Sequence, residues 1–81
     1  MSQILLNRIE INPKIMVGKP VIRGTRIPVE LVLKMLSQGV SIEEILEEYP
    51  HLIREDIQAC LAYAAQALEL EEILPLERAS T

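Results

Sequence analysis

Three kinds of side chain in this 81-residue sequence could take part in catalysis: one histidine, one cysteine and a few paired carboxylates. His51 directly follows Pro50, a position typical of a solvated turn residue. Cys60 lies among alanines in a predicted helix, where apolar surroundings would raise the pKa of its thiol and lower its reactivity. The pairs 43–44 and 47–48 fall on an exposed helical face, and no Cys/His cluster has metal-ligand spacing. We therefore expect a non-catalytic protein without metal or cofactor.

The chemistry that the sequence does offer is anion binding, and it is concentrated in residues 18–28. This segment reads GKPVIRGTRIP and holds two glycines, two prolines and three cations around three apolar residues. The X-Pro steps and Gly24 favour backbone angles that a helix does not use. The pattern predicts a short basic β-hairpin or turn that leads into a helical domain.

The distribution of charge supports that interpretation. Residues 1–40 carry six Lys or Arg against two carboxylates, net +4, whereas residues 41–81 carry two against ten, net −8. A contact with nucleic acid or an acidic protein is therefore expected in the N-terminal half. The alternative is that the acidic helices simply have solvated faces. The candidate anion or DNA contacts are Lys14, Lys19, Arg23, Thr25, Arg26, Lys34, Arg54 and Gln58.

Length and composition predict one domain with an aliphatic core. The chain has no Trp and no Phe, and its only aromatic residues are Tyr49 and Tyr63. A chain this short builds a marginal core unless a second copy adds buried area. The sequence has no apolar run long enough for a membrane helix and no signal-peptide pattern, so we expect a soluble cytoplasmic protein.

The elements that must position these residues begin with an N-terminal β-ribbon over residues 8–28. Residues 8–11 alternate like a strand, the pair 12–13 breaks it, and 15–17 and 21–22 fit further short strands. Gly24 is the expected position of a positive backbone φ.

Three helices are predicted over residues 28–70, followed by a tail over 71–81. The first begins with Pro28 as its first helical residue, or with Thr25 as a more distant cap, and stops at Gly39. The second has a capping box, because Ser41 is followed three residues later by Glu44. Pro50 ends it.

The third helix, from Arg54 to about Leu70 or Ile73, is apolar over most of its circumference and needs cover on two sides. The first two helices can cover the side of Ile57, Cys60, Leu61, Ala64 and Leu68. The other side predicts a homodimer, the alternative being a monomer covered by its own ribbon. The expected dimer or partner face is Ala59, Tyr63, Ala67, Leu70, Ile73 and Leu74.

Three helices with these short connections also fit a helix-turn-helix, whose third helix would enter the major groove by its N-terminal residues. The carboxylates of Glu55 and Asp56 at that end would repel DNA phosphates. Arg54 and Gln58 remain as the side chains able to read bases. The motif therefore indicates fold more than function.

The chain resembles the family catalogued as domain of unknown function 433. The resemblance covers about residues 8–70, and its motifs are Ile11-Asn12-Pro13, GKPVIRGTRIPV at 18–29, GVSIEEIL at 39–46, Tyr49-Pro50 and Glu55-Asp56-Ile57. It implies a mainly α fold in which a short N-terminal β-ribbon precedes a three-helix, homeodomain-like helix-turn-helix bundle. It also implies the antitoxin of a prokaryotic type II toxin–antitoxin pair, which dimerises, neutralises a PIN-like nuclease toxin and binds DNA. The alternative function is a dimeric interaction module without DNA-binding activity.

Two features bear on that resemblance. The family usually has Thr or Ser where this chain has Ile53, and Ile cannot cap a helix, so the third helix is expected to be frayed or differently capped. The tail is either a disordered end or a segment that orders on binding a partner. In the second case Arg78, Arg23 or Arg26 would pair with carboxylates of a nuclease.

Overall fold

The computed structural model describes residues 3–71, which form seven elements. Helix α1 (Gln3–Leu6) precedes strand β1 (Ile9–Ile11), a 3₁₀ turn (Met16–Gly18) and strand β2 (Pro20–Ile22). Helices α2 (Val29–Ser37), α3 (Ile42–Glu48) and α4 (Arg54–Glu71) follow. The predicted fold class, a short ribbon before three helices, is confirmed, whereas α1 was not predicted. Predictions for Ile73, Leu74, Arg78 and the tail lie outside the described residues.

The two strands form an antiparallel ribbon whose register pairs Ile9 with Ile22 and Ile11 with Pro20. Ile9 and Ile22 are buried, while Ile11 at the other end is 57% exposed. Pro20 occupies the first position of its strand, where its missing N–H costs no ladder bond. Only one end of the ribbon is therefore anchored in the core.

The prediction of a strand over residues 15–17 is wrong, because this stretch forms consecutive turns. The Asn12 side chain accepts from the Lys14 amide at 2.8 Å, and the Asn12 carbonyl accepts from the Ile15 amide at 2.8 Å. These local bonds use backbone groups that a strand would need. Val17 has a φ of 55° and is 92% exposed, an unusual conformation for a β-branched residue.

The start of α2 also differs from the prediction. Pro28 caps the helix in an extended conformation, with φ −70° and ψ 144°, and is not its first helical residue. A bridge between Val21 and Pro28 keeps it extended. At the other end, Gly39 has a φ of 89° and stops the helix as predicted.

The capping box of α3 is confirmed. The Ser41 hydroxyl accepts from the Glu44 amide at 3.1 Å, and the Glu44 carboxylate accepts from the Ser41 amide at 2.8 Å.

The start of α4 is differently capped, as the presence of Ile53 implied. The Asp56 carboxylate, three residues into the turn, accepts from the Ile53 amide at 2.9 Å through Oδ2. This bond supplies the half of a capping box that does not depend on the side chain of Ile53.

The core is aliphatic and α4 passes through it. Ile45, Ile57, Ala59 and Cys60 are completely buried, and α1, β1, α2 and α3 all contact α4. The same cluster also contains Ile9, Ile22, Val29, Val32 and Leu52. Within residues 3–71, no helix combines the length and apolar character needed to cross a membrane.

A partly buried ion pair connects the ribbon to α4. Arg8 Nη1 donates to Asp56 Oδ1 at 3.2 Å, and the side chains of Arg8 and Asp56 are 37% and 10% exposed. Asp56 thus has a partner on each oxygen, which a buried carboxylate requires.

We predict that Ile53→Thr raises the melting temperature. The Asp56 amide now donates to the Ile53 carbonyl at 2.9 Å, and a Thr hydroxyl would give it the side-chain acceptor that completes the capping box. The expected gain is about 1 kcal/mol, or roughly 4–8 °C for a domain of this size. Ile53→Val is the matched control, since Val has the shape of Thr without the hydroxyl. Equal melting temperatures for the two variants would contradict this helix boundary.

We also predict that the two kinds of ion pair respond differently to loss of the cation. Arg8→Met leaves the Asp56 carboxylate buried with one partner and should lower the free energy of unfolding by about 2–3 kcal/mol. Lys19→Met breaks the exposed 2.9 Å pair with Glu30 and should change it by less than about 1 kcal/mol. Urea titrations of both variants measure the difference, and equal losses would argue against the pair of Arg8 and Asp56 as a structural link.

Candidate functional site

The basic loop at the end of the ribbon is held closed by Thr25. The Ile22 amide donates to the Ile27 carbonyl at 3.0 Å, which encloses a four-residue loop. Inside it the Thr25 hydroxyl donates to the Ile22 carbonyl at 2.7 Å and accepts from the Ile27 amide at 2.9 Å. Gly24 has the positive φ that the sequence predicted, 81°. Thr25 is therefore engaged in shaping the loop, and Arg23 and Arg26 are its exposed side chains.

Arg23 lies beside Arg8 at the anchored end of the ribbon. The Arg23 amide donates to the Arg8 carbonyl at 2.7 Å, and Arg23 Nε donates to the Asn7 carbonyl at 2.7 Å. Asn7, Arg8, Arg23 and Asp56 line one concavity of about 280 Å³. Two guanidinium groups against one carboxylate leave this concavity with a net positive charge. We call these four residues the arginine concavity.

Arg26 faces a different concavity, which it lines with Glu10, Ile15, Gly24 and Thr25. The carboxylate of Glu10 in the same wall reduces the attraction of this surface for an anion.

The other predicted cations are spread over the molecule. Lys14 and Lys19 belong to the segment that joins the strands at the end opposite Arg23, and Lys19 Nζ is paired with Glu30 at 2.9 Å. Lys34 is exposed on α2. The sequence therefore identified cations that the structure divides among several surfaces.

The N-terminus of α4 carries little positive charge. Arg54 donates to the Glu43 carboxylate of α3 at 2.7 Å. A backbone hydrogen bond and the Arg54 guanidinium together lower the pKa of Glu43, which keeps this partner ionised. Gln58 is exposed, as is the neighbouring Glu55. A phosphate approaching this end would meet a cation that is already neutralised.

The residues predicted to form the partner face on α4 are less exposed in the structure than the sequence suggested. Ala59 is completely buried within the chain, and α1 and β1 are among the elements that pack on α4. Ala59 therefore presents no surface to a partner. Tyr63 and Ala67 are half-buried, the side chain of Leu70 is not described, and Ile73 and Leu74 lie beyond the described residues.

The side that the first two helices were expected to cover is instead partly open. Leu61 is 46% exposed and Leu68 is 68% exposed. Beside them lies an apolar groove of about 340 Å³ whose lining includes Leu33, Tyr63 and Leu68. In the sequence, the spacing of Leu61, Ala65 and Leu68 at i, i+4 and i+7 shows that they share one side of the helix. Spacing does not reveal whether a neighbouring helix covers that side.

Arg8 and Asn7 are the site residues that sequence reasoning missed. Arg8 was assigned only to a strand, and its carbonyl and guanidinium have partners 15 and 48 residues further along the chain. The charge asymmetry of the N-terminal half was the one indication of its role.

Cys60 is a buried packing residue. It has no disulfide partner, and burial, with a smaller contribution from the Asp56 charge, raises the pKa of its thiol to about 12. Among residues 3–71, no three His, Cys, Asp or Glu side chains are grouped so that they could hold a metal ion.

We predict that the Cys60 thiol reacts with a disulfide reagent at least about 100-fold more slowly in the folded protein than in urea, because the reactive thiolate is suppressed. Gln58→Cys places an exposed thiol two residues away and should add a fast phase.

Because folding raises the thiol pKa from 9.0 to about 12, the unfolded chain loses this proton first. Stability should therefore fall between about pH 9 and 12, and less steeply in Cys60→Ala. Rapid labelling of native Cys60 would contradict this placement.

Comparison with solved structures finds a close structural match. A crystal structure of a DUF433 member protein from Anabaena variabilis ATCC 29413 is 40% identical and superposes with a TM-score of 0.74. The match covers 84% of this chain and 67% of that protein.

Comparison of sequences gives a consistent result. An uncharacterized protein, y4eO, from Sinorhizobium fredii (strain NBRC 101917 / NGR234) is 43% identical over 53 residues, which are 65% of this chain. The match spans only 24% of that relative's length. The model of the family described as protein of unknown function (DUF433) matches residues 9–64. This range takes in both strands, α2, α3 and α4 as far as residue 64, and the chain therefore belongs to the DUF433 family.

Proposed function

We propose that this protein is a non-catalytic binding protein, the antitoxin of a prokaryotic type II toxin–antitoxin pair. In this proposal the arginine concavity contacts carboxylates of a PIN-like nuclease toxin. The observation that carries it is the convergence of Arg8 and Arg23 on one concavity. The antitoxin role itself comes from the family resemblance.

The chemistry of the arginine concavity suits a carboxylate partner. A guanidinium donates two parallel hydrogen bonds to a carboxylate, which gives both affinity and orientation. The bond from Arg23 Nε to the Asn7 carbonyl positions the group while its terminal nitrogens remain available. A side chain already held in place loses less entropy when it binds.

Binding of DNA is the second candidate, and the helix-turn-helix resemblance favours it. The ion pair between Arg54 and Glu43 and the exposed Glu55 weigh against readout by α4. In the proposal, any contact with phosphates is made by exposed cations of the ribbon and α2, such as Arg26 and Lys34. The alternative is an interaction module that does not bind DNA.

The nuclease partner is tested by co-expressing the protein with the product of the adjacent reading frame. We expect a nuclease to copurify and its activity to be inhibited. Arg23→Gln should weaken the complex at least about tenfold, since a hydrogen bond to a charged group contributes roughly 1.5–3 kcal/mol. Lys34→Gln removes the same charge from α2 and should have a much smaller effect. No copurifying nuclease, or equal effects of the two variants, would count against the proposed contact.

Binding of DNA is tested by electrophoretic shift on the upstream region. Phosphate-driven binding is strongest at low salt, so the DNA candidate predicts a shift at about 50 mM salt that weakens at moderate salt. Absence of a shift at the lower concentration would favour the module without DNA-binding activity.

A further inference from the structure

We infer that the C-terminal half of α4 binds a second copy of this chain, with the two α4 helices antiparallel across a two-fold axis. The surface is formed by Leu61, Ala64, Ala65 and Leu68, which we call the α4 stripe. This inference does not depend on a toxin partner or on DNA.

The α4 stripe is a continuous apolar surface that the other described residues, 3–71, leave largely uncovered. Leu61 is 46% exposed and Leu68 is 68% exposed, while Ala65 is exposed and Ala64 half-buried. Their spacing, i, i+3, i+4 and i+7, places all four on one side of the helix within roughly 100°. On the same helix Ile57, Ala59 and Cys60 are completely buried by the chain itself. Among the described residues of α4, apolar exposure is thus concentrated on one side of the second half of the helix.

The segment that carries the stripe has a nearly palindromic sequence, which suits a two-fold symmetric contact. Residues 61–68 read LAYAAQAL, which is the same in both directions except that Tyr63 corresponds to Gln66. With a two-fold axis between Ala64 and Ala65, Leu61 of one copy would lie opposite Leu68 of the other. A symmetric dimer requires the same patch on both copies, with residue i contacting j and j contacting i. This property favours a second copy over an unrelated helix.

The apolar groove beside the stripe would receive the side chains of the second copy. It has a volume of about 340 Å³, shares Ala64 and Leu68 with the stripe, and is otherwise lined by residues that include Leu33 and Tyr63. Alanine at the centre allows two helices to approach to about 8 Å. Leu61 of the second copy would then extend towards Leu68 and the edge of the groove.

The available area predicts a weak dimer. Nine residues line the groove, and Leu61 and Ala65 add two, which is about half of the 20–30 residues per side in a standard interface. Roughly 400 Å² would then be buried per copy, out of a surface of 5566 Å². We therefore expect a dimer that dissociates in the micromolar range.

Sedimentation equilibrium of the purified chain between about 1 and 500 µM tests the proposal, the range being set by the expected affinity. The unaltered protein should change from monomer to dimer within it. Ala65→Glu brings two carboxylates together beside the axis and should weaken association at least tenfold. Gln66→Glu adds the same charge one residue away, on another side of the helix, and should leave association unchanged. Circular dichroism melting of both variants checks that each is folded.

Cross-linking provides a test of the orientation. Ala65→Cys should be joined to itself by a short bis-maleimide, and Gln66→Cys should react much less. The buried Cys60 contributes no background. A monomer at the highest concentration, equal effects of the two glutamate variants, or equal cross-linking of the two cysteine variants would each overturn the proposal.

Discussion

A carboxylate buried at the start of the longest helix must be neutralised, and the neutralisation of Asp56 links the two halves of this fold. One oxygen caps the helix through the Ile53 amide, and the other accepts from Arg8 at the entrance to β1. β1 pairs with β2, and the Arg23 amide at the end of β2 bonds back to the Arg8 carbonyl. The basic loop at 23–26 and the start of α4, about 30 residues apart in the sequence, are therefore connected through the partners of one buried carboxylate.

The same arrangement explains why the arginine concavity is electropositive next to a carboxylate. Both oxygens of Asp56 are already occupied by protein donors, while Arg8 and Arg23 keep further N–H groups available to a ligand. Two other cations form exposed ion pairs, Lys19 with Glu30 and Arg54 with Glu43. Such surface pairs add little stability, but they reduce the charge presented to a partner.

Helix α4 contributes both to the core and to the exposed surface, because the other elements cover it unevenly. The segment around Ile57 and Cys60 is enclosed by the ribbon and the other helices, and its only buried charge is held by Arg8. Further along, Leu61 and Leu68 remain exposed, because the side assigned to the shorter helices is not fully reached by them. An apolar helix in so small a chain thus provides both the core and a candidate contact surface.

The sequence by itself determined the features that arise within a few residues of each other. The capping box of Ser41 and Glu44, the stop at Gly39, the turn at Gly24 and the extent of α4 were all predicted correctly, because caps and turns are set by local hydrogen bonds and backbone angles. Tertiary structure decided what covers each side of α4, which cations are neutralised, and that Arg8 joins Arg23 beside Asp56. These outcomes depend on contacts between residues far apart in the sequence, such as Arg8 and Asp56, 48 positions apart, where burial and pairing are set by the packing of whole elements. Short elements such as α1 and the turn at Met16–Gly18 were missed because three or four residues show no periodicity.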